Sequence, residues 1–339
     1  MIIHLSDRRV LRVAGAERAA TDFLNGLLTI DVERVATDRP LWAGLLTAQG
    51  KYLADMIIFA GGEGELLLDL PTARYDAAVA ALKRYRLRQP IMIEDSMLQV
   101  FAGWNEPQLV APDDPRSPAL GQRWLGATAS VTGTLADYRA HRIRAGIPGS
   151  EDFAPEKLMW LESGADLLNG VDFTKGCFVG QENTARMNYR AKVRKRVVPV
   201  TLESDPGGAT EIVTSAGKAA GTLTGHAMVG DERRGMALLR LEYADEDLRL
   251  GDAPVTFVRP EWLPTDARAE AQAAKGRPDH RTPHLDRPRH DRRRDAGLLR
   301  LNYHALVRAR HPTGVSAPYP IALSICFAMT SCWICVVPS

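Results

Sequence analysis

Lys175-Gly176-Cys177-Phe178-Val179-Gly180-Gln181-Glu182 places one thiol between two glycines, with a lysine two positions before it. Glycines at 176 and 180 let a ligand or another backbone approach closely. Gln181 opens a stretch expected to be helical to about Val193, and the first amides of a helix favour an anion or a thiolate. A thiol in that setting acts as a nucleophile, a redox handle or a transient metal ligand. The plainer alternative is a small buried hydrophobe. Cys177 and Lys175 are the candidate catalytic pair.

The expected helix has a readable face. Glu182, Arg186 and Arg190 lie four apart and stack on one side, with Asn183 and Tyr189 beside them. One reading is a solvated face with ordinary ion pairs. The other is a cationic wall whose guanidinium forks meet the carboxylates of an acidic ligand. Lys192, Arg194, Lys195 and Arg196 extend the charge, but no stacking aromatics are interleaved, which argues against a nucleic-acid surface.

Outward from this segment the chain is ordinary in bulk. It has 339 residues, 45% of them hydrophobic and 25% charged, with a net charge of +2. Such a balance gives no global pull toward nucleic acid. Cys177 is the sole cysteine before position 320, so the body is no disulfide scaffold and a reducing compartment is expected. Residues 1–8 resemble neither a signal peptide nor a transit peptide, and a cytoplasmic location is expected.

The pattern divides the chain into four. Residues 1–103 read as mixed α and β: a strand over 10–13, a helix over 16–28, strands over 41–47 and 52–60 joined by a turn at 48–51, a strand over 65–70, a helix over 72–88 and a strand over 97–102. Residues 104–193 begin loop-rich, with a helix over 137–145 and a short one over 156–162 before the Cys177 segment. Residues 194–264 hold short apolar runs punctuated by Gly, Asp and Pro, as in a small antiparallel barrel. Residues 265–339 break the composition. The first part is dense in Arg, Asp, His and Pro and cannot form a core. The uncharged run 318–338 is barely long enough to cross a bilayer. The tail is expected to be a disordered or aberrant extension, dispensable for folding, and not a membrane anchor.

The octapeptide resembles the Lys-Gly-Cys-Tyr-x-Gly-Gln-Glu signature of the YgfZ family, with Phe178 at the Tyr position. That family includes a mitochondrial iron–sulfur assembly factor and is similar to the T-protein of the glycine cleavage system. Supporting resemblances are Leu5-Ser6-Asp7-Arg8, Phe23 to Val32, Leu45 to Tyr52, and Arg259-Pro260, together covering about residues 1–264. The resemblance implies an α+β, GcvT-like folate-binding body with a small C-terminal antiparallel β-barrel. It implies tetrahydrofolate or a derivative as ligand, with Gln49, Asp55 and Arg186 matching the pterin edge and the glutamate tail. Gly176, Gly180, Gln181, Glu182 and Arg190 complete the expected binding set. Partners implied are iron–sulfur client proteins, such as an iron–sulfur tRNA-modifying enzyme, or assembly factors.

T-proteins usually carry two adjacent aspartates where this chain has Ala54-Asp55, and Asp where it has Cys177. That departure weakens the alternative of a folate-dependent aminomethyltransferase. One thiol cannot hold an iron–sulfur cluster, which takes four ligands, so no resident metal is expected. A scaffold using Cys326, Cys332 and Cys335 would draw on the foreign-looking tail.

Overall fold

The computed structural model describes residues 1–191 and 193–266, all within one compact unit, Met1–Arg281. From residue 267 onward, the expectations for the tail and for Cys326, Cys332 and Cys335 fall outside the described residues.

The body runs β1 (Ile2–His4), β2 (Arg8–Ala14), α1 (Ala19–Asn25), β3 (Leu41–Leu46), β4 (Tyr52–Ala60), β5 (Glu65–Pro71), α2 (Thr72–Arg86), β6 (Met92–Asp95), β7 (Gln99–Gly103), β8 (Gln122–Gly126), α3 (Leu135–Arg144) and α4 (Gln181–Arg186). Five strands form an antiparallel sheet in the order β3-β4-β5-β2-β6. Its strands are apolar on both faces because both are covered. Leu11, Val13, Ala54, Met56, Ile58 and Leu68 pack beneath α1 and α2. Val10, Ile57, Phe59 and Leu67 face a second core with Trp42, Trp160 and Phe153. This period-2 alternation is what a sheet between two layers requires.

A small sheet, β1-β7-β8, crosses the boundary expected at 103/104: Gln99–Gly103 pairs residue by residue with Gln122–Gly126. Residues 1–103 and 104–193 are therefore tied together by backbone hydrogen bonds at that point. The loop-rich reading of 104–135 missed β8.

A closed barrel follows, with order β10-β11-β12-β9-β14-β13. Its strands are β9 (Lys195–Leu202), β10 (Glu211–Thr214), β11 (Ala219–Val229), β12 (Glu232–Arg240), β13 (Leu248–Leu250) and β14 (Ala253–Phe257). Val198, Val200 and Leu202 point into the barrel core, whereas Val197 points out into the core of the body. Trp262 Nε1 donates to Gly146 O at 2.9 Å and Arg196 pairs with Asp166 at 2.7 Å, so barrel and body share polar contacts too.

Three helices differ from expectation. α1 ends at Asn25, before Gly26, a weak helix former. Residues 156–162 hold a turn and a 3₁₀ segment, Trp160–Ser163. α4 stops at Arg186 and passes into a π-helical turn, Met187–Ala191. That wider turn breaks the i,i+4 stripe beyond Arg186.

Candidate functional site

The Cys177 loop is pinned on both sides of an exposed thiol. Lys175 Nζ donates to the carbonyls of Asn25 at 2.6 Å, Leu28 at 2.7 Å and Ile30 at 2.9 Å. An ammonium has three protons and here meets three acceptors, among them carbonyls at and just beyond the C-terminal end of α1. Burial pushes its pKa down to about 8, against the pull of Asp31 and Asp172. Phe178, one residue past the cysteine, is buried in the core of the body, with the Lys175 ammonium 5.3 Å from its ring centre. Cys177 itself is exposed. The thiol stands four residues before Gln181, the first residue of α4, so it is not at the helix amides.

The far end of the motif locks into the β3–β4 turn. Gly180 has φ +84° and Gly50 φ +76°, and a Cβ on Gly180 would lie 2.6 Å from Thr47 O. Only glycine combines that conformation with that approach. Asn183 Nδ2 donates to Gln49 O at 2.9 Å, and Arg186 turns back to Asn183 Oδ1 at 2.8 Å. Gln49 thus contributes its backbone here, and Arg186 bonds within its own helix. The Arg190 side chain lies outside the described residues.

Asp55 is buried rather than outward on an alternating strand. A bulge where Leu45 pairs with Ala54 and Leu46 with Tyr52 shifts the parity of β4. Tyr52 therefore shares a face with Asp55, and its hydroxyl donates to Asp55 Oδ1 at 3.0 Å, while Trp42 Nε1 donates to Oδ2 at 3.1 Å. Burial and the Asp55 carboxylate push the Tyr52 phenol well up.

The same sheet face leads to a cavity of about 620 Å³ bounded by six arginines, Arg8, Arg74, Arg116, Arg123, Arg139 and Arg142. Its inner wall is charge-paired. Fully buried Asp69 accepts from Arg8 Nε at 2.6 Å and Arg123 Nε at 2.8 Å. Asp114 receives Arg116 Nε at 2.9 Å, and the Tyr138 hydroxyl receives Arg116 at 2.8 Å and Arg123 at 3.1 Å. Arg142 binds Asp152 at 2.7 Å and Glu151 at 2.6 Å. The barrel adds Thr224, whose hydroxyl donates to Asp152 at 2.9 Å. Burial pushes the Asp114 carboxyl up, but Arg116 and Arg123 outweigh it and hold it below its usual range. Burial raises Asp152 despite Arg142. Arg142 Nε is buried without an acceptor among the described residues.

None of Gln49, Asp55, Lys175, Gly176, Cys177, Gly180, Gln181, Glu182 and Arg186 lines this cavity. Asp55 is the nearest in effect, since its charge supports the Arg8 guanidinium. The arginine wall was missed because its members are spread from position 8 to 142. Two signals were present: Asp69 inside the apolar run Leu66-Leu67-Leu68-Asp69-Leu70, and Arg142 on the buried stripe of Leu135 and Tyr138.

Comparison with known proteins agrees with this fold. Glycine cleavage system aminomethyltransferase T from Bartonella henselae superposes with a TM-score of 0.62 at 14% identity, covering 77% of this chain and 86% of that one. This likeness establishes the GcvT-like α+β fold. Residues 194–265 match the family model for the CAF17 C-terminal beta-barrel domain. The mouse mitochondrial iron–sulfur cluster assembly factor IBA57 is 32% identical over 312 residues, 78% of this chain and 86% of that protein. The chain belongs to the IBA57 family of iron–sulfur cluster assembly factors. The human family member is 30% identical, covering 77% of this chain and 85% of its own length. Against the member from Mycosarcoma maydis, 32% identical, the chain spans about half the length, 55%. The cytoplasmic expectation is corrected by these relatives, because the fungal and mammalian IBA57 proteins are named mitochondrial. That expectation had rested on the composition of residues 1–8 and on the single cysteine of the body.

Proposed function

We propose that this protein serves iron–sulfur cluster assembly or repair in client proteins, with the Cys177 thiol as its working group and a reduced folate held in the arginine-walled cavity. The observation that carries the reading is the contrast within four residues: Lys175 is half-buried and anchored and Phe178 is buried, while Cys177 between them is presented to solvent. A structural cysteine has no reason to be exposed on so firmly held a loop. One thiol fills one position of a cluster, so the remaining ligands come from the partner, a client or another assembly factor.

The cavity suits a pterin with a glutamate tail. It has the volume of sites for ligands of that size, roughly 300–1,000 Å³. Leu5, Leu135, Phe153 and Pro71 supply apolar wall. Its inner hydrogen-bonding groups are largely paired to one another, and Arg142 Nε is buried without an acceptor among the described residues. Arg8, Tyr138 and Arg142 would hold the ring end, and the cations at the mouth the carboxylates. A reduced folate, when bound, supplies one-carbon chemistry at its N5 and N10 positions. The alternative of aminomethyl transfer draws on the fold alone. Ammonia and methylene-folate release in the presence of the other glycine-cleavage components would establish it.

The test is restoration of an iron–sulfur enzyme, such as a tRNA-modifying one, in cells lacking the protein. Wild type is expected to restore activity and Cys177→Ala at equal protein level to fail. Full restoration by the variant would remove the thiol from the mechanism. Calorimetry with 5-formyltetrahydrofolate tests the cavity separately.

A further inference from the structure

The C-terminal end of α2 reads Lys83-Arg84-Tyr85-Arg86-Leu87-Arg88, four cations interleaved with two apolar residues. We propose that this end is a membrane-contact site, in which Leu87 enters the interface of an anionic lipid surface while Lys83, Arg84 and Arg88 meet its phosphates.

The turn that carries Leu87 is closed and strained. α2 ends at Arg86, and the Gln89 amide donates to Arg86 O at 2.9 Å, with Leu87 at the first corner. Leu87 has φ +50° and ψ −115°, the corner of a type II′ turn, where glycine is the ordinary residue. A leucine there carries backbone strain that the surroundings must offset. Burial offsets none of it, because Leu87 is 80% exposed. Met92, at the start of β6 a few residues on, is 49% exposed. An apolar side chain presented at such a cost is explained by a surface that covers it.

Charge says which surface. Lys83, Arg84 and Arg88 are exposed and have no ion pair among the described residues. Arg86 donates to Ile91 O at 3.1 Å, which braces the turn. The acids on the adjoining α1 and β6 are already matched: Asp22 lies 3.6 Å from Arg18, Glu94 3.3 Å from Arg12 and Asp95 2.8 Å from Arg9. The helix dipole accounts for cations in the last turn, Lys83, Arg84 and Arg86, but not for Arg88 or Leu87, which lie past the helix end. Clustered cations beside exposed apolar residues are what draws a protein onto anionic lipid. A groove of about 460 Å³ with Phe23, Leu27, Tyr85 and Ile91 along it offers acyl chains an apolar wall beside those cations. A protein partner would have to supply a fitted pocket and a broad interface, from whose core charged residues are depleted. A fluid lipid interface needs neither.

The experiment is flotation of the full chain with vesicles of phosphatidylcholine, alone or mixed with phosphatidylglycerol. Wild type is expected to float with the mixed vesicles, less so at high salt, and not with phosphatidylcholine alone. Arg84→Gln with Arg88→Gln should weaken partitioning about thirtyfold, the scale of two basic residues at an anionic surface. Leu87→Gly should weaken it about tenfold and raise the melting temperature, because glycine relaxes the turn. A gain in stability with a loss of binding cannot come from damage to the fold. Hydrogen exchange should show residues 84–92 protected by the mixed vesicles. Wild type that ignores those vesicles would overturn the proposal, as would variants that bind like wild type, which would place the contact elsewhere on the chain. No vesicle binding by wild type, together with failure of Leu87→Gly to restore a client enzyme in cells, would assign the turn to a protein partner and overturn the lipid contact.

Discussion

The cavity and the Cys177 loop both bury cations, and they neutralise them differently. In the cavity wall, guanidinium groups meet full carboxylates: Arg123 reaches Asp69 at 2.6 Å and lies 3.6 Å from Asp114. Under the loop, the Lys175 ammonium hydrogen-bonds to carbonyl dipoles and feels Asp31 and Asp172 without a direct ion pair among the described residues. Ion pairs of the first kind are neutral as a set, so the wall can be rigid and still accept a neutral ring. The second kind keeps a net charge beneath the loop, and burial pulls that lysine's pKa down to about 8. On the proposed reading, one region holds a ligand in and the other holds one residue out.

The comparison is broken most severely at the cavity. Arg123→Ala leaves Asp69, fully buried, with one cation instead of two, and removes a donor from Tyr138. Removing one partner of a buried pair costs about 3–5 kcal/mol. Urea unfolding should show that loss as a lower midpoint at unchanged slope. Lys175→Met is the matching cut at the loop. It keeps the aliphatic stem but leaves three carbonyls without their donor, and about 2–3 kcal/mol is expected. Amide exchange should rise around residues 25–30 and 173–178 and stay unchanged in the barrel. If Lys175→Met costs as much as Arg123→Ala, the distinction between paired and dipole-held cations fails.

How far these regions were legible in the sequence follows from how local their signals are. Gly180 was legible as a position of close approach, and the structure shows the approaching backbone to be the β3–β4 turn at Gly50. The barrel read correctly as a class, although β10 and β13, with four and three residues, are too short to show an alternation. The burial of Asp55 was not legible, because a single bulge changes which residues share a face. α4 looked longer because the stripe Glu182, Arg186, Arg190 continues in sequence past the point where the backbone widens. The arginine wall assembles only in three dimensions, since Arg8, Arg123 and Arg142 belong to three different elements. No window of sequence contains it.

Acid should weaken the cavity wall. Asp114 is held below its usual range by Arg116 and Arg123 even though burial opposes this. Its folded pKa is thus lower than its unfolded pKa of about 3.9, and between the two the unfolded chain binds more protons. Stability from this group is present above about pH 4 and is lost as pH falls below it. Urea midpoints measured at pH 6 and pH 3 should fall by more in wild type than in Asp114→Asn, which cannot titrate. Equal falls would mean that Asp114 does not carry the acid sensitivity of the wall.

The smallest effect on stability, and the sharpest on function, belongs to Cys177. It is exposed, its neighbours carry the anchoring, and Cys177→Ser replaces sulfur with oxygen at a position with no packing to lose. A change within about 0.5 kcal/mol is expected. The folded protein should react with iodoacetamide at position 177 nearly as fast as the unfolded chain. The readout has to be site-resolved by peptide mass, because the sequence also holds Cys326, Cys332 and Cys335. Serine cannot replace a thiolate toward iron or as a redox group, so the variant should leave client iron–sulfur enzymes inactive while folding and binding folate as wild type does. Lys175→Met then serves as the control for position: its thiol is present but its loop is released. Client activity lost in both variants would mean that presentation matters as well as chemistry. Activity kept in Lys175→Met and lost in Cys177→Ser would mean that an exposed thiol suffices. Slow alkylation, a clear stability loss in the serine variant and normal client activity would together make Cys177 a structural residue, and the pinned loop would need another explanation.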